Sequence, residues 1–178
     1  MSYFKNIGHF FCITAILLSV SCCKSERKEM ECTLANMHKH PIILPLSRMQ
    51  CRYENKDTLI TDSHPVGFRL VTYIDSSECS PCLLDKLYHW NHIMAQTEKS
   101  KDILQYIFIV APKPGMLEDT YLSIQYGGLN SPVYIDTAYM FKSYNKNFPE
   151  QPKLHTFLIN SKDSVILVGS PLDNKRIR

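Results

Sequence analysis

Residues 78–82 read Glu-Cys-Ser-Pro-Cys, two cysteines spaced Cys-x-x-Cys between a run of strand length, Phe68-Arg-Leu-Val-Thr-Tyr-Ile74, and a stretch with helical periodicity. That order constrains the fold more than any other feature of the chain. The nearly continuous apolar run suits a strand buried on both faces. After it, Leu83, Leu87, Trp90 and Met94 recur at steps of four, three and four, which predicts a helix over 81–96 with one face turned to a sheet. Ser80 and Pro81 fit its first turn, because a proline there gives up an N–H that has no intrahelical partner. Unpaired N–H groups and the positive end of the helix dipole favour a thiolate at Cys79, making it the attacking sulfur, with Cys82 one turn along as the resolving thiol. Glu78 opposes this, since a carboxylate beside Cys79 raises the thiol pKa.

The amino end carries the second signal. Residues 1–20 hold one Lys (Lys5) and no acid, and the apolar stretch from Phe10 to Val20 is shorter than the ~20 residues of a membrane span. It has the character of a signal-peptide core and runs into Leu18-Ser-Val-Ser-Cys22-Cys23, which resembles the lipobox of bacterial lipoproteins. Cleavage is expected before Cys22, which takes the lipid. Cys23 is the second candidate, because Val20 is correctly spaced for it while Leu18 stands one place too far from Cys22.

About 155 residues remain after such cleavage, enough for one domain with a real core. A formal net charge of +3 with scattered basic residues gives no argument for nucleic acid. Seven Cys in an exported chain point to an oxidising envelope compartment, where disulfides persist. Beyond the Cys79/Cys82 pair, Cys32 and Cys51 are left either to bridge each other or to stay free. Zinc at the pair would need two more ligands, and His89 and His92 lie about 10 Å or more further along one continuous helix. They read as solvent-facing, Trp90 reads as core, and no metal or cofactor is expected.

Along the rest of the chain, 24–31 reads as a charged tether, 40–46 as a short strand between prolines and 48–53 as another. Residues 105–111 form a second buried strand, and 118–126 a helix stopped by Gly127-Gly128. A short strand follows at 132–136 and a short helix at 137–144. Strands at 154–159 and 165–168 close the chain as a hairpin.

The order β-α-β-α-β-α-β-β predicts parallel crossovers followed by a hairpin. Here the chain resembles the thioredoxin fold, and more closely its exported TlpA-type branch among bacterial lipoproteins. Three segments carry the likeness: Leu70-Val-Thr-Tyr-Ile-Asp-Ser-Ser-Glu-Cys-Ser-Pro-Cys82, Pro132-Val-Tyr-Ile-Asp136, and His155-Thr-Phe-Leu-Ile-Asn160 with 165–169. The resemblance implies an α/β thioredoxin-like fold, a central mixed sheet flanked by helices, with a C-terminal hairpin and no full final helix, since nine residues follow Gly169. It implies a signal peptide over 1–21, a lipid-anchored tether and N-terminal extension over 22–65, and the thioredoxin-like domain over 66–178. Leu154 stands where the family carries a cis-proline, so a trans peptide and an altered groove are expected. Tyr73 stands where thioredoxins carry a buried acid, with Asp75 and Glu78 as the nearest carboxylates. The function implied is thiol-disulfide exchange with exported proteins through Cys79 and Cys82, fed by an envelope electron donor, on a periplasm-facing domain anchored by lipid to a membrane. The alternative is a non-catalytic binding or scaffold lipoprotein of the same fold. A peroxidase of this fold fits less well, because its Thr-x-x-Cys signature is missing.

Overall fold

In the computed structural model, residues 27–54, 56–58, 67–77, 84 and 86–174 are described, and the Glu78–Leu83 turn and the lipobox lie outside them. The chain divides into two compact units, Met1–Asn36 and Met37–Arg178. The expected tether is helical from residue 27, helix α1 covering 27–39. Good helix formers explain this, helped by the Arg27–Glu31 pair at 3.0 Å, one turn apart.

The second unit is built on one seven-stranded mixed sheet in the order β2-β1-β5-β4-β3-β6-β7. Its strands are β1 (Gln50–Tyr53), β2 (Lys56–Asp57), β3 (Phe68–Ile74), β4 (Leu104–Val110), β5 (Val133–Ile135), β6 (Thr156–Asn160) and β7 (Val165–Val168). β3, β4 and β5 run parallel, β6 lies antiparallel on β3, and β7 returns on β6. This is the α/β thioredoxin-like architecture expected from the order of elements. The hairpin turn is set by Asn160, whose side-chain oxygen accepts from Lys162 N and Ser164 N. Asp163 takes the left-handed conformation (φ 61°) and pairs with Arg69.

One face of the sheet is covered by the helices α2 (Trp90–Gln96) and α3 (Leu117–Tyr126). Leu70, Ile74, Phe108, Val110, Val133 and Ile135 point to it from alternate strand positions. The facing residues are Leu84, Leu87, Trp90 and Ile93, steps of three rather than the expected Leu83, Leu87, Trp90 and Met94. The reason is the tighter turn ahead of α2: Leu87–His89 is 3₁₀, in which residues three apart eclipse. Met94 packs only at the margin, and Leu83 lies outside the described residues. Gly127 closes α3 against this helix, for a Cβ there would stand 2.9 Å from Leu84 O and 2.7 Å from Ser123 O.

The other face carries Val71, Tyr73, Ile107, Ile109, Phe157 and Ile159, all buried. Its helix, α4 (Met140–Tyr144), starts three residues later than expected. Tyr139 before it is left-handed (φ 53°), and Asp136 caps it from outside, Oδ1 and Oδ2 accepting from Met140 N and Phe141 N at 2.8 Å each. Aromatic stacking fills the centre, with Tyr73 4.5 Å from Phe141 and 5.7 Å from Phe148 between ring centres.

The expected strand over 40–46 is not one. Pro41 and Pro45 cannot donate to a ladder, and the segment runs irregularly into a 3₁₀ turn, Leu46–Arg48. It is held at both ends: Ile42 N donates to Asp163 O at the hairpin, and the Asn145 amide pairs with Ile43 N and O at 2.8 Å each beside α4. β1 then pairs antiparallel with β5. The segment therefore crosses the α4 face from the β7 side to the β5 side, burying Ile42, Leu46 and Met49. After β7 the described residues form a single turn, with Asn174 N donating to Ser170 O.

Candidate functional site

The site is built where β3 ends. The backbone leaves the sheet at Asp75, passes Ser77 and enters 78–83, and is helical at Leu84. Cys79, Cys82, Glu78, Ser80 and Pro81 fall in that link, and with Cys22 and Cys23 they lie outside the described residues. What the structure gives is the frame on either side of the pair.

Beside the end of β3 lies the segment before β6. Thr72 pairs with Thr156, and Tyr73 N donates to His155 O at 2.9 Å. Leu154 is buried in the 3₁₀ turn Pro152–Leu154, and no peptide bond among the described residues is cis. His155 is also buried, its Nε2–H donating to Pro149 O at 3.0 Å and its ring 5.6 Å from that of Tyr73.

Between the helix that follows the cysteines and this segment a cleft of about 650 Å³ opens. Thr72 and Ile74 form its floor, Lys86 and His89 one wall, Lys153 and Ser170 the other. His89 and His92 line it while staying exposed, and Trp90 is buried.

Just past the end of β3, against α4, sits a cluster of charge. Asp75 is 6% exposed and accepts from Ser77 N at 2.8 Å and Ser77 Oγ at 2.7 Å. Lys142 Nζ of α4 lies 2.8 Å from Asp75 Oδ2 and 2.5 Å from Glu150 Oε2. Burial pushes the Asp75 carboxyl up, but the hydrogen bonds from Lys142 and Ser77 outweigh it and hold the pKa at about 2. Burial likewise disfavours the charged form of Lys142, yet Asp75 and Glu150 raise its pKa. Tyr73, at the position of the family's acid, is 2% exposed, and burial followed by the charges of Asp75 and Asp136 drives its phenol far up. It stays a neutral donor, 3.5 Å from Asp75 Oδ2.

Lys142, Glu150 and the cleft wall at Lys153 and His155 carried no signal in the sequence; of this cluster only Asp75 stood out there, named with Glu78 as a nearby carboxylate. Cys32 and Cys51 are free thiols rather than a bridge. Cys51 is buried on β1, and burial pushes its thiol up to about 11, which leaves it inert at neutral pH.

No protein-family model matches this chain, and no curated protein matches it either. Solved structures resemble it at a distance. A thioredoxin-like protein in its oxidised form shares 14% identity over 77% of this chain and 91% of its own, with a TM-score of 0.47. A candidate protein disulfide isomerase from Bacteroides thetaiotaomicron gives 14% identity, 77% and 86% coverage and 0.47. StoA from Bacillus subtilis gives 13%, 69% and 90%, and 0.40. Likenesses at that level carry no activity across to this chain. By its own strand order and connections, the chain has the thioredoxin-like fold.

Proposed function

We propose that this protein exchanges thiols and disulfides with exported proteins, as a TlpA-type member of the thioredoxin-like family anchored by lipid at Cys22, or at Cys23, on the periplasmic side of a bacterial membrane. The observation that supports the chemistry is the convergence of the end of β3, the 86–92 stretch and the 152–156 segment on one cleft, with Cys79-Ser-Pro-Cys82 in the sequence between the first two. A pair at such a junction has a helix N-terminus to favour its thiolate and an open cleft to receive a partner.

In the reducing direction the Cys79 thiolate attacks one sulfur of a partner disulfide. The partner's other sulfur leaves as a thiolate and takes a proton, and a mixed disulfide remains. Cys82, deprotonated, then attacks the Cys79 sulfur; the Cys79–Cys82 disulfide forms and the second partner thiol is released. A dithiol electron donor of the envelope reduces the pair for the next cycle. Leu154, buried between the cleft residues Lys153 and His155, stands where the family carries its proline.

The test uses the two unequal thiols. Cys82→Ser should accumulate mixed disulfides in the native envelope that vanish with reductant, and Cys79→Ser should trap almost none. A structural disulfide would instead give two similar variants, each destabilised by about 2–5 kcal/mol or unchanged. If neither variant captures a partner, and no thiol of the reduced protein alkylates faster than a free cysteine, the exchange reading fails and a scaffold takes its place. Incorporation of a labelled fatty acid, lost on replacing both Cys22 and Cys23 with Ser, tests the anchor separately; label surviving that change rules it out.

A further inference from the structure

The cleft beside the end of β3 carries a charge pattern that thiol chemistry does not require. Lys86 stands on one wall and Lys153 on the other, both exposed, above a floor that includes Ile74 and Leu87. Other basic residues are neutralised within the fold: Lys142 by Asp75 and Glu150, Arg69 by Asp163, Lys101 by Glu98. Among the described residues neither Lys86 nor Lys153 has such a partner. His89 and His92 add two exposed imidazoles, and Asp173 is the one acid among the described residues of the lining.

For the folded chain alone, two unpaired ammonium groups on facing walls gain nothing, since like charges repel. For an anion between them they act together, because low-dielectric walls focus the field into a cleft. The volume, about 650 Å³, lies in the range of concave ligand sites. An apolar floor between cationic walls is complementary to a ligand that carries apolar groups beside carboxylates. Leu172, 36% exposed next to Asp173, carries the apolar surface toward the rim.

We propose that this cleft selects acidic polypeptide: an extended segment whose apolar side chains lie over Ile74 and Leu87 while neighbouring Asp or Glu carboxylates meet Lys86 and Lys153. The inference rests on the exchange reading only in making that segment part of a substrate; the selectivity itself uses no thiol. Single-stranded nucleic acid, the other extended polyanion, binds by stacking its bases on aromatic rings. Here Tyr73 and Trp90, the Tyr and Trp of the described lining, are both buried. A bilayer surface does not enter a concave site.

The experiment uses the full-length protein carrying Cys79→Ser and Cys82→Ser, so that the pair forms no mixed disulfide. Three short fluorescent peptides without cysteine are titrated by anisotropy: Glu and Asp alternating with Leu and Val, the same with Lys and Arg for the acids, and the same with Ser and Gln. The acidic peptide should bind about tenfold tighter than the basic one, and added salt should narrow the gap. Lys86→Gln and Lys153→Gln should each weaken the acidic peptide about two- to fivefold, the size of an exposed ion pair. Lys86→Glu combined with Lys153→Glu should reverse the preference. Asp173→Asn should tighten the acidic peptide about twofold, while Lys162→Gln, in the β6–β7 turn and outside the lining, should change nothing.

Equal affinity for acidic and basic peptides, a preference that survives the double reversal, or no binding of any peptide would overturn the proposal. So would tighter binding of oligothymidylate or of phosphatidylglycerol vesicles, lost with the double reversal, which would give the cleft to nucleic acid or to lipid headgroups. If the doubly reversed protein does not fold, the opposite signs expected of the two Gln variants and of Asp173→Asn decide. Acidic selectivity in a protein whose Cys82→Ser variant captures no partner would overturn the exchange reading and leave the selectivity standing. Capture of partners without any peptide preference would do the reverse.

Discussion

The two faces of the sheet are covered by different means. On the α2/α3 face, helices local in sequence to their strands lay aliphatic and aromatic side chains over Leu70, Phe108 and Val133 in the usual βα manner. On the α4 face the helix is five residues long, and the rest is closed by an aromatic stack, an irregular segment from the other end of the domain, and polar ties at Asn145, Asp136 and Asp75. Cover built from local helices needs little beyond apolar pattern. Cover built from distant, irregular chain needs specific hydrogen bonds, since its backbone groups have no regular ladder to satisfy them. The Asp75–Lys142–Glu150 charge cluster belongs to this second face.

The comparison is most easily broken at the aromatic centre. Phe141→Ala, at 0% exposure, should lower stability by about 3–5 kcal/mol in urea unfolding. A loss under about 1 kcal/mol would mean that the α4 face does not depend on its stack.

Next comes the buried pair. Asp75→Ala leaves Lys142 facing only Glu150 and should cost roughly 3 kcal/mol at neutral pH, near the lower end for breaking a buried pair because Lys142 reaches solvent. The pH dependence follows in sign. The folded pKa of Asp75, about 2, lies below that of an exposed Asp. Its contribution is therefore complete above the unfolded value near ~3.9 and is lost as pH falls through the folded one. Wild type should lose stability relative to Asp75→Ala between about pH 4 and pH 2 in acid titrations followed by circular dichroism. Parallel curves for the two proteins would contradict the shift.

Asn145→Ala should cost about 1–3 kcal/mol, because Ile43 N and O lose their partner together with the tie to Phe141 O. Limited proteolysis should then cut first within 40–49. Cleavage elsewhere would deny that Asn145 holds this segment down. On the opposite face Gly127→Ala should cost about 1–3 kcal/mol, through the clash with Ser123 O and Leu84 O, without opening 40–49 to protease. The smallest effect is chemical: Cys32, exposed, should be alkylated at once, and Cys51 only on unfolding.

Much of this arrangement could be read from residues alone. The apolar runs at Phe68–Ile74 and Leu104–Val110 define the central parallel pair to within a residue, because strands buried on both faces leave little ambiguity of pattern. The hairpin and the helix ending at Gly127 were also visible, through turn chemistry and a glycine stop, although the first hairpin strand starts at Thr156, two residues later than expected, after the 3₁₀ turn Pro152–Leu154. The start of α4 was not: a run of helix-compatible residues over 137–139 gave no hint that Asp136 would cap from four residues away and that Tyr139 would turn left-handed. Nor was the phase of the buried face beside the cysteines, since a 3₁₀ turn shifts it from four-residue to three-residue steps.

The sequence by itself determined the order of the strands from β3 to β7 along the chain, the placement of Cys79-Ser-Pro-Cys82 after a strand, and the absence of a proline at 154, all of which are local patterns. Tertiary structure alone decided that residues 41–49 would lie across a sheet face rather than form a strand, and that Lys142 would meet Asp75. The physical reason is range. Periodicity and turn chemistry act over a few residues, whereas the partner of a buried carboxylate or an orphaned backbone amide is chosen by which distant side chain the packed core brings within hydrogen-bonding reach.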